Sequence, residues 1–455
     1  MFGSSFKDCG LNRFYHAPNT GAGNGGSLSI PLAPKPDAIM LASATYNSDL
    51  RIDGKTKFNL GIGVCSDSKG TSEVPGFIKA IQISVNRFSA KYLPGTGDAK
   101  FLEGARKLIF GSNLKEQNQV GVLEFREDKF YVKSVQSAGG TNALFNALST
   151  LQKANYGEGE ANPYKNADVY VSNPTWGNHK NISDASGFKS ISNYPYLSDD
   201  GMSVDFDKLL TFIDSIEKSS VLILHAACHN PTGSDLTVAQ WDLVINKIKE
   251  KQSSGINLMP VFDTAYQGFG KGIDEDVYSI RKAAELGLDF IVAESYSKKF
   301  SLYAERLGAT HFCSSSKELV EAYQSTAANI VIRSTNSNMP SEGTRVANQI
   351  LHDVDMLDAY SHEMSSKRDH FEKVRTELGQ AIGMNLTNSN GMFVFVPVSD
   401  LSTREALWND HGIMTVPLSW IDSQGITKHA LRICIDPITD CNKEQIFNGF
   451  REVFK

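Results

Sequence analysis

Three short apolar runs constrain this chain more than any other feature: VLILHAA at 221–227, LMPVF at 258–262 and FIVA at 290–293. Each is continuous rather than alternating, which is what a strand buried on both faces requires. Helix-periodic sequence follows the first run, with Thr237 and Gln240 spaced as a capping box and Leu243, Val244 and Ile248 as its buried face. Upstream, DVYVS at 168–172 and GFKSISNYPY at 187–196 read as two more strands, and a β-rich run ending at Ser137 leads into an amphipathic helix. Strands that alternate with helices in this way form a mostly parallel mixed sheet between helices, an α/β architecture. The C-terminal quarter reads as a smaller α+β part.

The whole chain sets wide limits. It has 455 residues, 41% of them apolar and 21% charged, ordinary values for a globular protein of about two domains. The formal charge of −6 gives no reason to expect nucleic acid or an anionic membrane as partner. No apolar run approaches a membrane span. The six cysteines are scattered, with no C-x-x-C pair, which argues against a disulfide framework or a zinc site and suits a reducing compartment such as the cytoplasm. No metal is expected.

In order, residues 1–35 read as a flexible tail containing GAGNGGS, and organelle targeting by it stays open. Residues 36–73 read as the N-terminal part of the small domain, including a short helix and FNLGIGV. Residues 74–345 read as the large domain, and 346–455 as a bridging helix and the rest of the small domain. ANIVIR at 328–333 reads as a strand, and 344–380 as helix.

The polar groups just beyond the strands carry the chemistry. Lys298 and Lys299 follow FIVA; a solvated lysine pair and a buried lysine that bonds a carbonyl carbon are both open readings. Gly139, Gly140 and Thr141 begin a helix, as either a phosphate cradle or a plain helix start. Trp176 and His179 lie on the loop after 168–172. Asn230 is oriented by Pro231 and Gly233. Asp263 ends a strand, where it is either a turn residue or a carboxylate that keeps a ring nitrogen protonated. Together these groups supply what pyridoxal phosphate needs: an amine, an acid, a stacking ring, hydroxyls and an arginine.

The stretches FNLGIGV, KYLPGTG, AGGTNAL, NPTWGNH, HNPTG, FDTAYQGFG, ESYSKKFSLYAERLG and LRICID occur in this order. In them the chain resembles the class I pyridoxal-phosphate aminotransferases of fold type I, in the aspartate and aromatic branch, over roughly residues 36–450. The resemblance implies that Lys298, three after Ser295 and eight before Arg306, is the lysine that holds the cofactor. It implies a phosphate cup of Gly140, Thr141, Ser295 and Arg306, with Tyr92 reaching in from a second subunit. Trp176 would stack on the cofactor, Asp263 would face its ring nitrogen, and Asn230 and Tyr266 would bond its phenolic oxygen. Arg432 would grip the substrate α-carboxylate, Arg333 the side-chain carboxylate across a homodimer, and Ile62 and Gly63 would close over substrate.

The implied activity is amino transfer between aspartate or glutamate and 2-oxoglutarate or oxaloacetate. The alternative is an aromatic aminotransferase for tyrosine or phenylalanine. Cys65 replaces the family's usual tyrosine, and RSTNSNMP departs from R-x-x-W-S-N-P-P at Asn336 and Met339; both changes touch the substrate side. A decarboxylase or lyase of the same fold, and a non-catalytic binding protein, are the rival classes. The two arginines argue against the first, and Lys298 with Asp263 against the second.

Overall fold

Burial on both faces explains why the apolar runs become strands. In a computed structural model of the chain, which describes residues 37–49, 56–65, 76–85, 91–125 and 128–455, the strands Ser220–His225, Leu258–Thr264 and Phe290–Ser295 are buried at every position. Successive side chains go to opposite sides. Phe290 and Val292 enter a core beneath the helix Val238–Ser253, while Ile291 and Ala293 enter a second core beneath the helix Gly139–Lys153. The residues expected to form the N-terminal tail, 1–35, lie outside the described residues.

The strands are β1 (Phe58–Asn59), β2 (Lys115–Gln117), β3 (Val120–Phe125), β4 (Asp128–Ser137), β5 (Asp168–Asn173), β6 (Ser190–Pro195) and β7 (Ser220–His225). They continue with β8 (Leu258–Thr264), β9 (Phe290–Ser295), β10 (Gly308–Ser314), β11 (Phe393–Val398), β12 (Ile413–Met414), β13 (Val416–Ile421) and β14 (Thr427–Cys434). Nine of them form one sheet in the order β2-β3-β4-β10-β9-β8-β7-β5-β6. The ladders from β9 through β8, β7 and β5 to β6 are parallel, and β10 runs antiparallel to both β9 and β4. Reversing β10 gives β4 the same direction as β9. The start of β10 therefore lies beside two strand ends, with Gly308 opposite both Ser137 and Ser295. This is the mostly parallel mixed sheet between helices that the sequence implies.

A second, antiparallel sheet has the order β11-β14-β13. The helix Ala38–Ser48 packs against it through Ala42, which shares a cluster with Trp408, Met414 and Val416. β1 pairs with β12. The N-terminal part of the described chain thus meets the C-terminal quarter, and Asp37–Lys455 forms one compact unit.

Three expectations need correction. Residues 328–333 are not a strand. Ala327–Ile332 continues the helix Lys317–Thr326 as a π-helical turn and runs into Arg333–Thr335. Its burial is helical: Ala327, Ala328, Val331 and Ile332 are inside, while Ile330 is 48% exposed. A short β-branched run does not distinguish strand from helix by itself. The segment 344–380 is also broken. One helix ends at Leu351, and Asp353 caps the next, Val354–Ile382, by accepting from the backbone N–H of Met356. His179, expected on a loop, lies in the first turn of the helix Asn178–Ala185.

Candidate active site

The carboxyl ends of parallel strands are where open α/β sheets leave a crevice. Here they enclose a cavity of about 300 Å³. Gly140 and Thr141 reach it after β4, Trp176 after β5, Asn230 after β7, and Asp263 and Tyr266 from β8 and the turn beyond it. Ser295 and Lys298 reach it from β9 and its turn, and Arg306 comes from just before the reversed β10. The second sheet contributes Arg432 on β14, while Ile62 and Gly63 follow β1.

One end of the cavity is made for an anion. The helix Gly139–Lys153 begins at Ala138 with no side-chain cap, so its first amides are free to bond a ligand. Glycine is favoured there, because a Cβ on Gly140 would lie 2.9 Å from the Ser295 Cβ, and Gly139 has a left-handed φ of 82°. Arg306 is steadied by donating to the Tyr303 carbonyl at 2.9 Å and to Ser297 Oγ at 3.3 Å. A helix N-terminus, a guanidinium and the hydroxyls of Thr141, Ser295 and Ser297 suit a phosphate group.

Asp263 also lines the cavity, 6% exposed, with Oδ2 3.1 Å from His179 Nε2. The other nitrogen of His179 lies 2.8 Å from Thr175 Oγ1. Burial pushes the Asp263 carboxyl up, but the bond to His179 and the neighbouring positive charges outweigh it and hold the group below the ordinary carboxylate value. Asp263 is thus kept ionised. His225 closes this corner; burial and the charge of His179 push its pKa down to about 3, and neither ring nitrogen has a hydrogen-bond partner among the described residues. Ligand atoms of His179, His225 and Asp263 lie within 4.8 Å of one another. The direct bond between two of them makes the cluster a support for the Asp263 charge.

Lys298 makes no hydrogen bond among the described residues, and its Nζ lies 5.2 Å from the centroid of the Tyr266 ring. Burial lowers its pKa, Arg432 and Arg306 lower it further, and Asp263 pulls the other way. A lysine so placed is a nucleophilic amine. Lys299 turns away: its Nζ donates to Gln267 Oε1 at 2.8 Å and to Glu294 in the protein interior. That geometry separates two lysines which the sequence leaves equivalent.

Arg432 is 2% exposed. It donates to Asn230 Oδ1 at 3.0 Å and to the Gly61 carbonyl at 2.7 Å, and lies 4.3 Å from the Phe393 ring centroid. Its Nε has no partner, and no carboxylate pairs with it among the described residues. A buried guanidinium without a counter-charge is poised for an anion. Burial pushes the Tyr266 phenol well above the usual tyrosine range, so it remains a donor. Tyr92 and Arg333 are not in this cavity. Tyr92 is 91% exposed, and Arg333 lies on the surface with Nη1 2.6 Å from Ser337 Oγ. His225, Ser297, Tyr303 and Phe393 line the cavity without having been singled out; His225 lies inside an apolar run, at the end of β7, and Tyr303 stands five residues after Lys298.

The fold and the cavity define an aminotransferase-like enzyme of fold type I. The family model described as aminotransferase class I and II matches residues 55–446. The chain is 30% identical over 438 residues to an aspartate aminotransferase of Pseudomonas aeruginosa, covering 93% of this chain and 98% of that one. It is 32% identical over 355 residues to a tyrosine aminotransferase of Klebsiella pneumoniae, covering 76% and 81%. The structure of an aromatic-amino-acid aminotransferase from Burkholderia pseudomallei covalently bound to pyridoxal phosphate superposes with a TM-score of 0.77 at 28% identity, covering 94% of this chain and 99% of that one. The chain belongs to the class I and II aminotransferase family, within the aspartate and aromatic branch of class I. It moves amino groups between amino and oxo acids.

Proposed function

We propose that the protein binds pyridoxal 5′-phosphate at Lys298 and transfers the amino group of L-aspartate or L-glutamate to 2-oxoglutarate or oxaloacetate. The observation that carries this reading is the meeting, in one cavity, of an unbonded lysine, an ionised Asp263 and the unpaired Arg432. The donor set fits the cofactor at both ends. Gly140, Thr141, Ser295 and Arg306 would hold its phosphate, Trp176 its ring face, Asp263 its ring nitrogen, and Asn230 with Tyr266 its phenolic oxygen. When bound, the cofactor supplies an electron sink for the charge that develops at the substrate Cα.

The chain's own residues do the rest. Arg432 takes the α-carboxylate in a bidentate grip and so orients the Cα–H bond. The amine of Lys298 removes the Cα proton, because its lowered pKa leaves it able to act as a base. Ile62 and Gly63 cover the substrate. The donor leaves as an oxo acid before the acceptor enters. The reading places the enzyme in the cytoplasm, which the free thiols of Cys65, Cys228, Cys313, Cys434 and Cys441 support.

The reading also makes the working unit a homodimer in which Tyr92 and Arg333 reach the partner's cavity. Their exposure, outside their own cavity, supports it. Mixing a Lys298→Ala protein with an Arg333→Ala protein is expected to restore activity after subunit exchange. One of the two sites in the mixed dimer then carries neither defect. No recovery despite proven exchange counts against shared sites.

Substrate choice turns on Arg333. A side-chain carboxylate entering a partly buried site needs a paired cation, and guanidinium is a permanent one. The expected result is a wild-type preference in kcat/KM for aspartate and glutamate over tyrosine and phenylalanine. Arg333→Ala should reduce the acidic pair by about 10²-fold or more and the aromatic pair by less than about tenfold. The second reading, an aromatic aminotransferase, is favoured by the turn after Arg333, where Asn336 is exposed and Met339 is buried at 4%. A wild-type preference for tyrosine or phenylalanine would establish that second reading.

A further inference from the structure

The turn that carries Lys298 is held from behind by charges that no step of the reaction uses. Lys299 folds back beneath the end of β9 to meet Glu294, five residues earlier, with their side chains 1% and 0% exposed. The second oxygen of Glu294 lies 2.9 Å from His311 Nε2 on β10, and His311 Nδ1 lies 2.8 Å from Ser134 Oγ on β4. Lys299 also donates to Gln267 Oε1 at 2.8 Å, and its Nζ lies 4.5 Å from the Tyr296 ring centroid. Gln267 is in turn fixed by donating to the carbonyls of Leu108 and Ile273, at 3.1 and 2.9 Å. Three neighbouring strands, a helix end and the turn after β8 thus converge on one ammonium group.

Stability alone does not explain such a pair. An apolar pair of the same volume is usually as stable as a buried ion pair, or more so. What the pair supplies is direction. The turn needs it, because Phe300 and Ser301, next along the chain, have left-handed φ angles of 60° and 51°, which only glycine adopts freely. The pairing also places a carboxylate beside Lys299, so the second lysine adds little net charge next to Lys298.

We infer that Lys299 and Glu294, braced by His311, are positioning residues that aim Lys298 into the cavity, an inference that rests on the assignment of Lys298 as the cofactor's lysine. Single replacements leave one buried charge unpaired and confuse positioning with instability. The informative protein is the full-length, cofactor-loaded double variant Lys299→Met/Glu294→Gln, which removes both charges at nearly constant volume. Its thermal midpoint should stay close to that of the wild type. Its kcat should fall about tenfold or more, as for a misplaced reacting group, with KM for the donor changed less than about twofold. Borohydride trapping followed by peptide mass mapping should show slower labelling of Lys298. A double variant with wild-type kcat and wild-type labelling overturns the inference. If that variant does not fold, His311→Gln, which loosens Glu294 and keeps both charges, is read in the same way: a lower kcat at constant KM supports the inference, and an unchanged kcat overturns it. The wild type, treated in parallel, separates the two failures. Absence of label at Lys298 in the wild type overturns the cofactor assignment itself and this inference with it.

Discussion

Replacing Lys298 by alanine is expected to lower kcat by at least about 10⁴-fold, the upper range for loss of a positioned acid–base group. The expectation follows from position. No other amine among the described residues lines the cavity: Lys299, its neighbour in sequence, is committed to Glu294 and Gln267 on the far side of the turn. The same substitution should barely disturb folding, because the Lys298 ammonium makes no hydrogen bond among the described residues that would be lost, and an amine that burial disfavours is removed. Single-turnover assays with aspartate, set beside thermal melting, check both halves. A variant that keeps more than about a hundredth of the wild-type kcat would show that another group moves the proton.

The second large effect concerns Arg432. Its guanidinium is buried at 2% exposure, its Nε is unbonded among the described residues, and burial pushes its pKa down from the ordinary arginine value. In the free protein it is a cation without a counter-ion; with substrate bound it gains one. Arg432→Met should therefore weaken transition-state binding by about 3–5 kcal/mol, which is about 10²- to 10³-fold or more in kcat/KM. It should cost little stability, since an uncompensated buried charge is removed along with the hydrogen bonds to Asn230 and Gly61. Every amino acid carries an α-carboxylate, so the loss should be similar for aspartate and for tyrosine. That distinguishes Arg432 from Arg333, whose loss is expected to fall mainly on acidic donors. A loss at Arg432 confined to acidic donors would assign it to the side-chain carboxylate instead.

Much of this arrangement is legible in the sequence because parallel strands buried on both faces leave an unambiguous trace. VLILHAA and LMPVF have no polar face to confuse the reading, and the capping box at Thr237 and Gln240 forms as its spacing predicts. Twelve of the fourteen residues expected to form the site line one cavity; Tyr92 and Arg333, the two assigned across a dimer, do not. The failures also have physical causes. β10, GATHFCS, is buried throughout yet carries Thr310, His311 and Cys313, so its polarity hides it until the partners Glu294 and Ala143 are known. Ala327–Ile332 has strand-like composition, and only its packing makes it helical. His179, in the helix after β5, bonds Asp263, and His225, at the end of β7, lies beside it; the three are far apart in sequence, and no local pattern announces a contact made by folding.

The central claim is that Lys298 is the residue that holds the cofactor, and covalent trapping addresses it most directly. The wild-type protein, loaded with pyridoxal phosphate, reduced with borohydride and digested, should carry one pyridoxyl group per chain on the peptide containing Ser295–Arg306, with fragment masses placing it on Lys298. A group on Lys299, or no retained group, would contradict the account.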